Sequence, residues 1–174
     1  MLEQLMLRYV AAEDRLELGL ITTAPAAAHR LHLTRRLTRT WLQQLAKAIE
    51  VSAEVPASAA PATRKAIAAA HHESVAARAR FERSSAQDST GGQMLADAPA
   101  ALVRNIQCGR RRADGLWLLR FAYGPGQTVS LLLKPETLHG LVELLIRQLA
   151  TTDWQLDTPL GQGVSLEAFR GTFH

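Results

Sequence analysis

The stretch HRLHLTRRLTRTWLQQLAKAIE, residues 29–50, changes its periodicity part-way along. Apolar and polar side chains alternate at its start, which places Leu31 and Leu33 on one face of a predicted strand. From Leu37 to Ile49 an apolar residue recurs at every fourth position, as in an amphipathic helix. Thr34 stands between the two patterns and is a favourable N-cap residue. The stretch therefore predicts a strand that leads directly into a helix.

Two more alternating segments precede this stretch. QLMLRYV (residues 4–10) and RLELGLITT (residues 15–23) both predict strands, and the polar AAED between them predicts a turn. Residues 1–51 are therefore predicted to form one β-β-β-α unit.

The C-terminal half shows the same order. The predicted strands are ALVRNIQCGRR (101–111), LWLLRFAY (116–123) and QTVSLLL (127–133), with an ADG hairpin turn between the first two. LWLLRFAY is apolar on both faces apart from Arg120, which predicts a central strand covered on both sides. Pro135 is suited to the first position of the helix that follows. Residues 101–157 are predicted to form a second β-β-β-α unit.

The apolar residues of the two units align at an offset of about one hundred residues, with Leu33 on Leu133, Trp41 on Leu141 and Leu45 on Leu145. Common ancestry of the halves is left open, because unrelated strand–helix units share such a pattern. The predicted fold is α+β: an antiparallel sheet from two β-β-β-α units, a possible internal duplication, with the helices packed on one face. Whether the halves form one sheet or two lobes is also left open.

The segment between the units, residues 52–100, is rich in Ala, Pro and Ser and predicts a connecting segment. Its alanine-rich middle, residues 63–83, predicts a helix with too few large apolar residues to pack firmly. Near the C-terminus, DWQLD (153–157) is interpreted as a short edge strand. Residues 158–174 are interpreted as a loosely held tail.

Composition narrows the classes of protein. The 174 residues are 47% hydrophobic and 21% charged, which suits a small soluble globular protein. The single cysteine, Cys108, excludes an intramolecular disulfide and a cysteine zinc cluster. No apolar run is long enough to span a membrane, and the N-terminus lacks the pattern of a secretion signal. A cytoplasmic location is expected, and the arginine-rich, alanine-rich composition is of a bacterial, GC-rich type.

Arginine dominates the basic residues, since only three of the 20 are lysine, and the net charge is +4. Two clusters are candidate contacts for an anion or a partner: Arg35, Arg36 and Arg39 at the start of the first helix, and Arg110, Arg111 and Arg112 at a hairpin tip. Positive charge at a helix N-terminus is unfavourable, because the helix dipole is positive there. An anionic group is therefore expected near the first cluster. The alternative for both clusters is a solvated basic surface. Outward-facing arginines on the strands, such as Arg8 and Arg30, would add to a positive face if they share one.

The sequence shows no catalytic, cofactor-binding or metal-binding motif. His71 and His72 are interpreted as solvated, His139 has no evident partner, and Cys108 is interpreted as a small buried side chain. Trp117, Phe121 and Tyr123 share one side of a strand, where they could stack on bases. With only 5% of aromatic residues in the chain, they are interpreted instead as core.

The duplicated sheet-then-helix order is similar, at the level of fold, to the Whirly and Pur-type single-strand nucleic-acid binders. Those proteins have four strands in each repeat, where this chain has three. The similarity implies binding of single-stranded DNA or RNA through exposed arginines, which is one hypothesis for this chain. The preferred hypothesis is a non-enzymatic interaction or assembly module with a protein partner, or with itself as a two-fold dimer through exposed edge strands.

Overall fold

The computed structural model describes residues 2–23, 25–78 and 89–157, and within them the protein is α+β. The strands are β1 Leu2–Val10, β2 Arg15–Thr23, β3 Ala26–Leu33, β4 Ala100–Leu102, β5 Asn105–Arg110, β6 Trp117–Gly124 and β7 Gln127–Leu133. The helices are α1 Arg35–Ser52, α2 Pro61–Arg78, α3 Ser89–Asp97 and α4 Pro135–Leu149. The β-β-β-α order is present in both halves, with β4 as an additional strand, while common ancestry stays a hypothesis.

The predicted switch from strand to helix at Thr34 is confirmed. The Thr34 side chain accepts a hydrogen bond from the backbone amide of Leu37 at 3.2 Å, so it is the N-cap of α1. Pro135 likewise begins α4.

The first sheet has the order β1-β2-β3-β4 and is mixed. Its first three strands pair antiparallel, whereas β4 pairs parallel to β3, from Arg30 opposite Ala100 to His32 opposite Leu102. The prediction of a purely antiparallel sheet is therefore wrong. β4 reaches β3 after a long connection that contains helices, and such a connection permits the parallel direction that a hairpin does not.

The second sheet, β5-β6-β7, is antiparallel, and Gly115 and Gly126 supply left-handed backbone in its two turns. Residues 101–111, predicted as one strand, form β4 and β5 with a break at Val103 and Arg104. The amide of Val103 donates to the carbonyl of His32 at 2.9 Å, and the amide of Arg104 donates to that of Ala122 at 2.8 Å. This segment therefore joins the two sheets.

Both halves contribute to one hydrophobic core. Leu16, Leu18 and Leu20 of β2 are fully buried on the face that we call the inner face, where α1 and α4 pack. Trp41 of α1 meets Phe121 of β6 edge-to-face, with ring centroids 5.5 Å apart. A single cluster of buried residues thus spans the two units.

A further helix, α3, lies on the other face of the first sheet. Gly19 alternates with Leu18 and Leu20, so it lies on the opposite, outer face of β2. A Cβ atom placed on Gly19 would lie 3.2 Å from the Leu95 side chain of α3. α3 therefore covers the outer face of the first sheet, and a residue without a side chain allows its close approach.

The segment between the units is more helical than predicted. α2 begins two residues before the predicted start, and residues 79–83 of that prediction lie outside the described residues, as does the predicted tail, 158–174. α3 occupies residues that were predicted to be linker. DWQLD does not form a strand, although its Trp154 is buried. None of the helices in the described ranges combines the length and the apolar character that crossing a membrane requires.

Candidate interaction site

Two long edge strands, β1 and β7, have no second strand partner among the described residues. The free side of β5 differs from them, because the Gln44 side chain of α1 donates a hydrogen bond to the carbonyl of Ile106 at 3.1 Å. A sheet edge with unpaired backbone groups can accept a further strand. β1 and β7 are therefore the two candidate edges for strand addition.

The two edges differ in the burial of their inner faces. On β7 the inner side chains Val129, Leu131 and Leu133 are 7%, 2% and 2% exposed. On β1 the inner side chains pack against the same core but are only partly buried; they are Leu2, Leu5, Leu7 and Tyr9. The core is thus complete at β7 and incomplete at β1.

The outer face of β1 carries little charge. Gln4 and Met6 are half-buried there, and Arg8 is the one charged residue on this face between Gln4 and Val10. Natural edge strands are commonly protected from further pairing by lysine, proline or bulges. From Gln4 to Val10 the register with β2 is regular, and the irregularity lies before Gln4. This part of β1 therefore has the geometry and the side chains to pair again.

The guanidinium of Arg8 is held by a buried carboxylate, Glu17 on β2. Three side chains donate to the Glu17 carboxylate: Arg8 at 2.6 Å, His32 at 3.0 Å and Arg30 at 3.1 Å. We call these four residues the Glu17 cluster. Burial by itself would raise the pKa of Glu17, but the hydrogen bonds from the two arginines and the histidine outweigh burial and lower the pKa to about 2. Glu17 is therefore ionised and offsets part of the positive charge of Arg8 and Arg30, which do share one face.

The Glu17 cluster also attaches α3 to the sheet. Arg30 donates to the carbonyls of Ala96 and Ala98, at 3.4 and 3.3 Å, at the C-terminal end of α3. A cavity of about 340 Å³ lies between β1, β2 and α3, and its lining includes Met6, Arg8 and Leu95. The cluster was missed in the sequence, although its members occupy outward positions on three consecutive predicted strands.

The first arginine cluster is exposed. Arg35, Arg36 and Arg39 lie at the solvent side of α1, and among the described residues no side-chain hydrogen bond or ion pair holds Arg36 or Arg39. An anionic neighbour is present for Arg35, namely Asp14. Hydrogen bonds from Trp154 and Tyr9 chiefly lower the pKa of Asp14, and the charges of Arg15 and Arg35 lower it further.

The second cluster lies at the tip of the β5–β6 hairpin, and its members are exposed. Arg111 forms an ion pair with Asp114 in the same turn, which lowers the pKa of that carboxyl group. No hydrogen bond or ion pair among the described residues connects Arg110, Arg111 or Arg112 with the first cluster. The structure therefore does not join the two arginine clusters into one site.

The interpretation of the histidines as solvated and unpartnered is wrong for two of them. His72 of α2 and His139 of α4 are buried, and their Nδ1 atoms lie 3.0 Å apart. The other ring nitrogen of His139 lies 3.1 Å from the Ser52 hydroxyl. We call His72 and His139 the histidine pair. It joins residues 67 positions apart, and for that reason no local pattern revealed it.

One proton arrangement satisfies the hydrogen bonds among Ser52, His139 and His72, and leaves Nε2 of His72 without a hydrogen-bond partner in the described part of the chain. Ser52 donates to Nε2 of His139, His139 donates from Nδ1 to Nδ1 of His72, and Nε2 of His72 faces a Glu143 carboxylate oxygen at 3.6 Å. Both rings are neutral in this arrangement. Burial and the neighbouring histidines, His72 and His71, lower the pKa of His139 to about 4.

The other sequence candidates are part of the core. Trp117 and Phe121 are 3% and 0% exposed, so they are not a stacking surface, and Tyr123 is half-buried. Cys108 is half-buried, and burial raises the pKa of its thiol to about 11. Among the described residues no group of three or more His, Cys, Asp or Glu side chains could hold a metal ion. Comparison with known proteins found no matching family model, no matching curated protein and no matching solved structure.

Proposed function

We propose that this protein is a non-enzymatic interaction module, which binds an extended polypeptide along the edge of β1. In this mode the main chain of the partner forms hydrogen bonds with the free side of the edge strand, and its alternate side chains pack on the two faces of the sheet. The affinity then comes from the backbone ladder and the specificity from the side chains.

The observation that carries this proposal is the partial burial of the inner side chains of β1. Leu5 and Leu7 pack against the core but remain partly open to solvent, while the corresponding side chains of the other long edge, β7, are buried. An added strand would cover these leucines, and covering the rest of one leucine contributes on the order of 1 kcal/mol. Binding is therefore more favourable at β1 than at β7.

A selection experiment tests the proposal. The full-length protein is used to select from a phage-displayed library of short random peptides, and the selected peptides are then measured by fluorescence polarisation. We expect peptides with apolar residues at alternate positions. Met6→Lys, which places a charge on the outer face of the edge strand, should weaken their binding by roughly tenfold or more.

Leu132→Lys provides the matched control, because Leu132 is a half-exposed apolar residue on the outer face of the other open edge. Binding of the peptides should be unchanged in this variant. Selection of no extended peptides by protein that is monomeric, or binding that Leu132→Lys weakens as much as Met6→Lys does, would contradict the proposal. Circular dichroism of each variant checks that the fold is kept.

Nucleic-acid binding is a second candidate, and the exposure of Arg36 and Arg39 without ion-pair partners in the described structure favours it. Guanidinium groups in this state are free to bind phosphate. Binding of a fluorescent single-stranded oligonucleotide should then fall steeply as salt increases, and Arg36→Glu with Arg39→Glu should abolish it. An anisotropy unchanged by the protein at low salt would rule this candidate out.

A further inference from the structure

We infer that the strand added at β1 is β1 of a second copy of this chain, paired antiparallel about a two-fold axis at Met6. This inference rests on the proposed function, since it names the partner of the same edge. Closed homodimers with two-fold symmetry are the commonest oligomers, and they require a surface that is complementary to itself. The order of residues in β1 meets that requirement.

The complementarity is visible when β1 is paired with itself about Met6. Leu5 of one copy then faces Leu7 of the other on the inner face, and this pair occurs twice across the axis. On the outer face, Gln4 faces Arg8 twice and Met6 faces Met6 on the axis. At these central positions each side chain meets one of similar polarity; towards the ends of the strand Glu3 faces Tyr9, and no charge faces a like charge.

Both neighbouring registers are less favourable, since an axis at Leu7 would place Met6 opposite Arg8 and Gln4 opposite Val10. An axis at Leu5 would place Glu3 opposite Leu7 and Arg8 opposite Leu2. The inner faces of the two sheets lie on the same side only if the register changes by two residues at a time, because side chains alternate between the faces. Few registers are therefore possible. Only the axis at Met6 places Leu5 of one copy opposite Leu7 of the other.

The helical layer supports the same arrangement. α4 packs on β1, so the α4 helices of two copies paired through β1 would lie on the same side of the joined sheet. Ile146 of α4 resembles Leu5 and Leu7 in that it packs against the core and remains partly buried. The second copy thus completes the core in both layers at the edge where one chain leaves it incomplete.

Sedimentation velocity over a range of protein concentrations provides the first test. We expect the wild-type protein to be a dimer, and Met6→Lys to raise the dissociation constant by roughly tenfold or more, because it brings two like charges to the axis. Gln4→Lys, which would face Arg8 across the interface, should have a similar effect and serves if Met6→Lys does not fold. Leu132→Lys on β7 should remain as dimeric as the wild type.

Cross-linking tests the register. A short bismaleimide should join two copies of a Met6→Cys variant, because the axis brings the two thiols together. Ser130→Cys, on the exposed face of β7, should not cross-link, and the wild type measures the background from Cys108, whose thiol has its pKa raised to about 11 by burial. A dimer that cross-links through Ser130→Cys, or does not cross-link through Met6→Cys, would overturn the inference.

The two proposals fail in different ways. A protein that is monomeric at every concentration overturns the dimer, yet the proposed function stands if selected peptides bind and Met6→Lys weakens them. A monomer that selects no extended peptide overturns both. A dimer that Met6→Lys leaves intact is formed elsewhere and overturns the inference about β1.

Discussion

Two buried polar clusters in this protein deal with charge in opposite ways. In the Glu17 cluster a carboxylate that is only 7% exposed remains ionised, because two arginines and a histidine donate to it. In the histidine pair, His139 is fully buried and its pKa is lowered to about 4, since burial and the adjacent histidine rings disfavour a positive charge. Burial alone therefore does not determine protonation; the groups that face the buried side chain do.

The surroundings of the two clusters explain the difference. Glu17 lies on a sheet face where neighbouring strands place basic side chains directly opposite it, with Arg8 on one side and His32 on the other. The histidine pair lies where α2 meets α4 and the end of α1. It is faced by the Ser52 hydroxyl, by His71 and by Glu143, which is 3.6 Å from His72. One carboxylate at that distance is too weak to offset the burial of two rings.

The clusters consequently respond to pH in separate ranges. The folded-state pKa of His139, about 4, is below its ordinary value of 6.5, so the unfolded chain binds the proton more readily and stability falls as pH decreases from about 6.5 towards 4. The pKa of Glu17, about 2, is below its ordinary value of 4.5, so its contribution is present above about 4.5 and is lost as pH falls towards 2.

Of two substitutions that test this comparison, Glu17→Gln in the Glu17 cluster should produce the larger loss of stability. The amide cannot neutralise Arg8 and Arg30, and its NH2 group would face their donors, so the free energy of unfolding should fall by about 3 kcal/mol. Urea denaturation at neutral pH measures this change. Glu13→Gln is the matched control. Glu13 contacts His32, a member of the Glu17 cluster, at 3.1 Å, but its side chain is 57% exposed. A change in the control as large as that in Glu17→Gln would show that the buried charge is not the cause.

His139→Gln tests the histidine pair, and its expected effect on the pH dependence of stability is smaller. The wild type should lose about 2 kcal/mol of unfolding free energy between neutral pH and a pH of about 5, because the unfolded histidine takes up a proton that the folded one excludes. The variant keeps groups that can bond Ser52 and His72 but does not titrate, so its stability should change less over this range. Denaturation curves at several pH values measure both. Equal pH dependence of the two proteins would assign the effect to other groups.

Much of the local structure could be predicted from single segments of sequence. The periodicity of residues 15–23 and 127–133 matches β2 and β7 to the residue, and Thr34 was identified as the N-cap of α1. These features depend on neighbours within about four residues, which is the reach of alternation and capping. By contrast, Leu95 is the one buried side chain among residues 92–97 of α3, and the composition of this helix resembles that of a linker.

The candidate site could be predicted only in outline. Open edge strands follow from the strand pattern, so an exposed edge was expected. That β1 rather than β7 leaves the core incomplete depends on how α4 and β2 pack beside it. The two arginine clusters were identified as exposed, but the ion pairs of Arg8 and Arg30 with Glu17 required the register of three strands.

The sequence by itself determined most of the strands and helices of the two β-β-β-α units and which of their faces are apolar, because those properties depend on side chains a few positions apart. Only the tertiary structure decided the parallel pairing of β4 with β3, the ionised state of Glu17 and the neutral state of His139. These depend on groups brought together from distant positions, such as His72 and His139, 67 residues apart. Protonation and strand direction depend on which residues lie close together in space, and local periodicity does not predict contacts between residues that are distant in sequence.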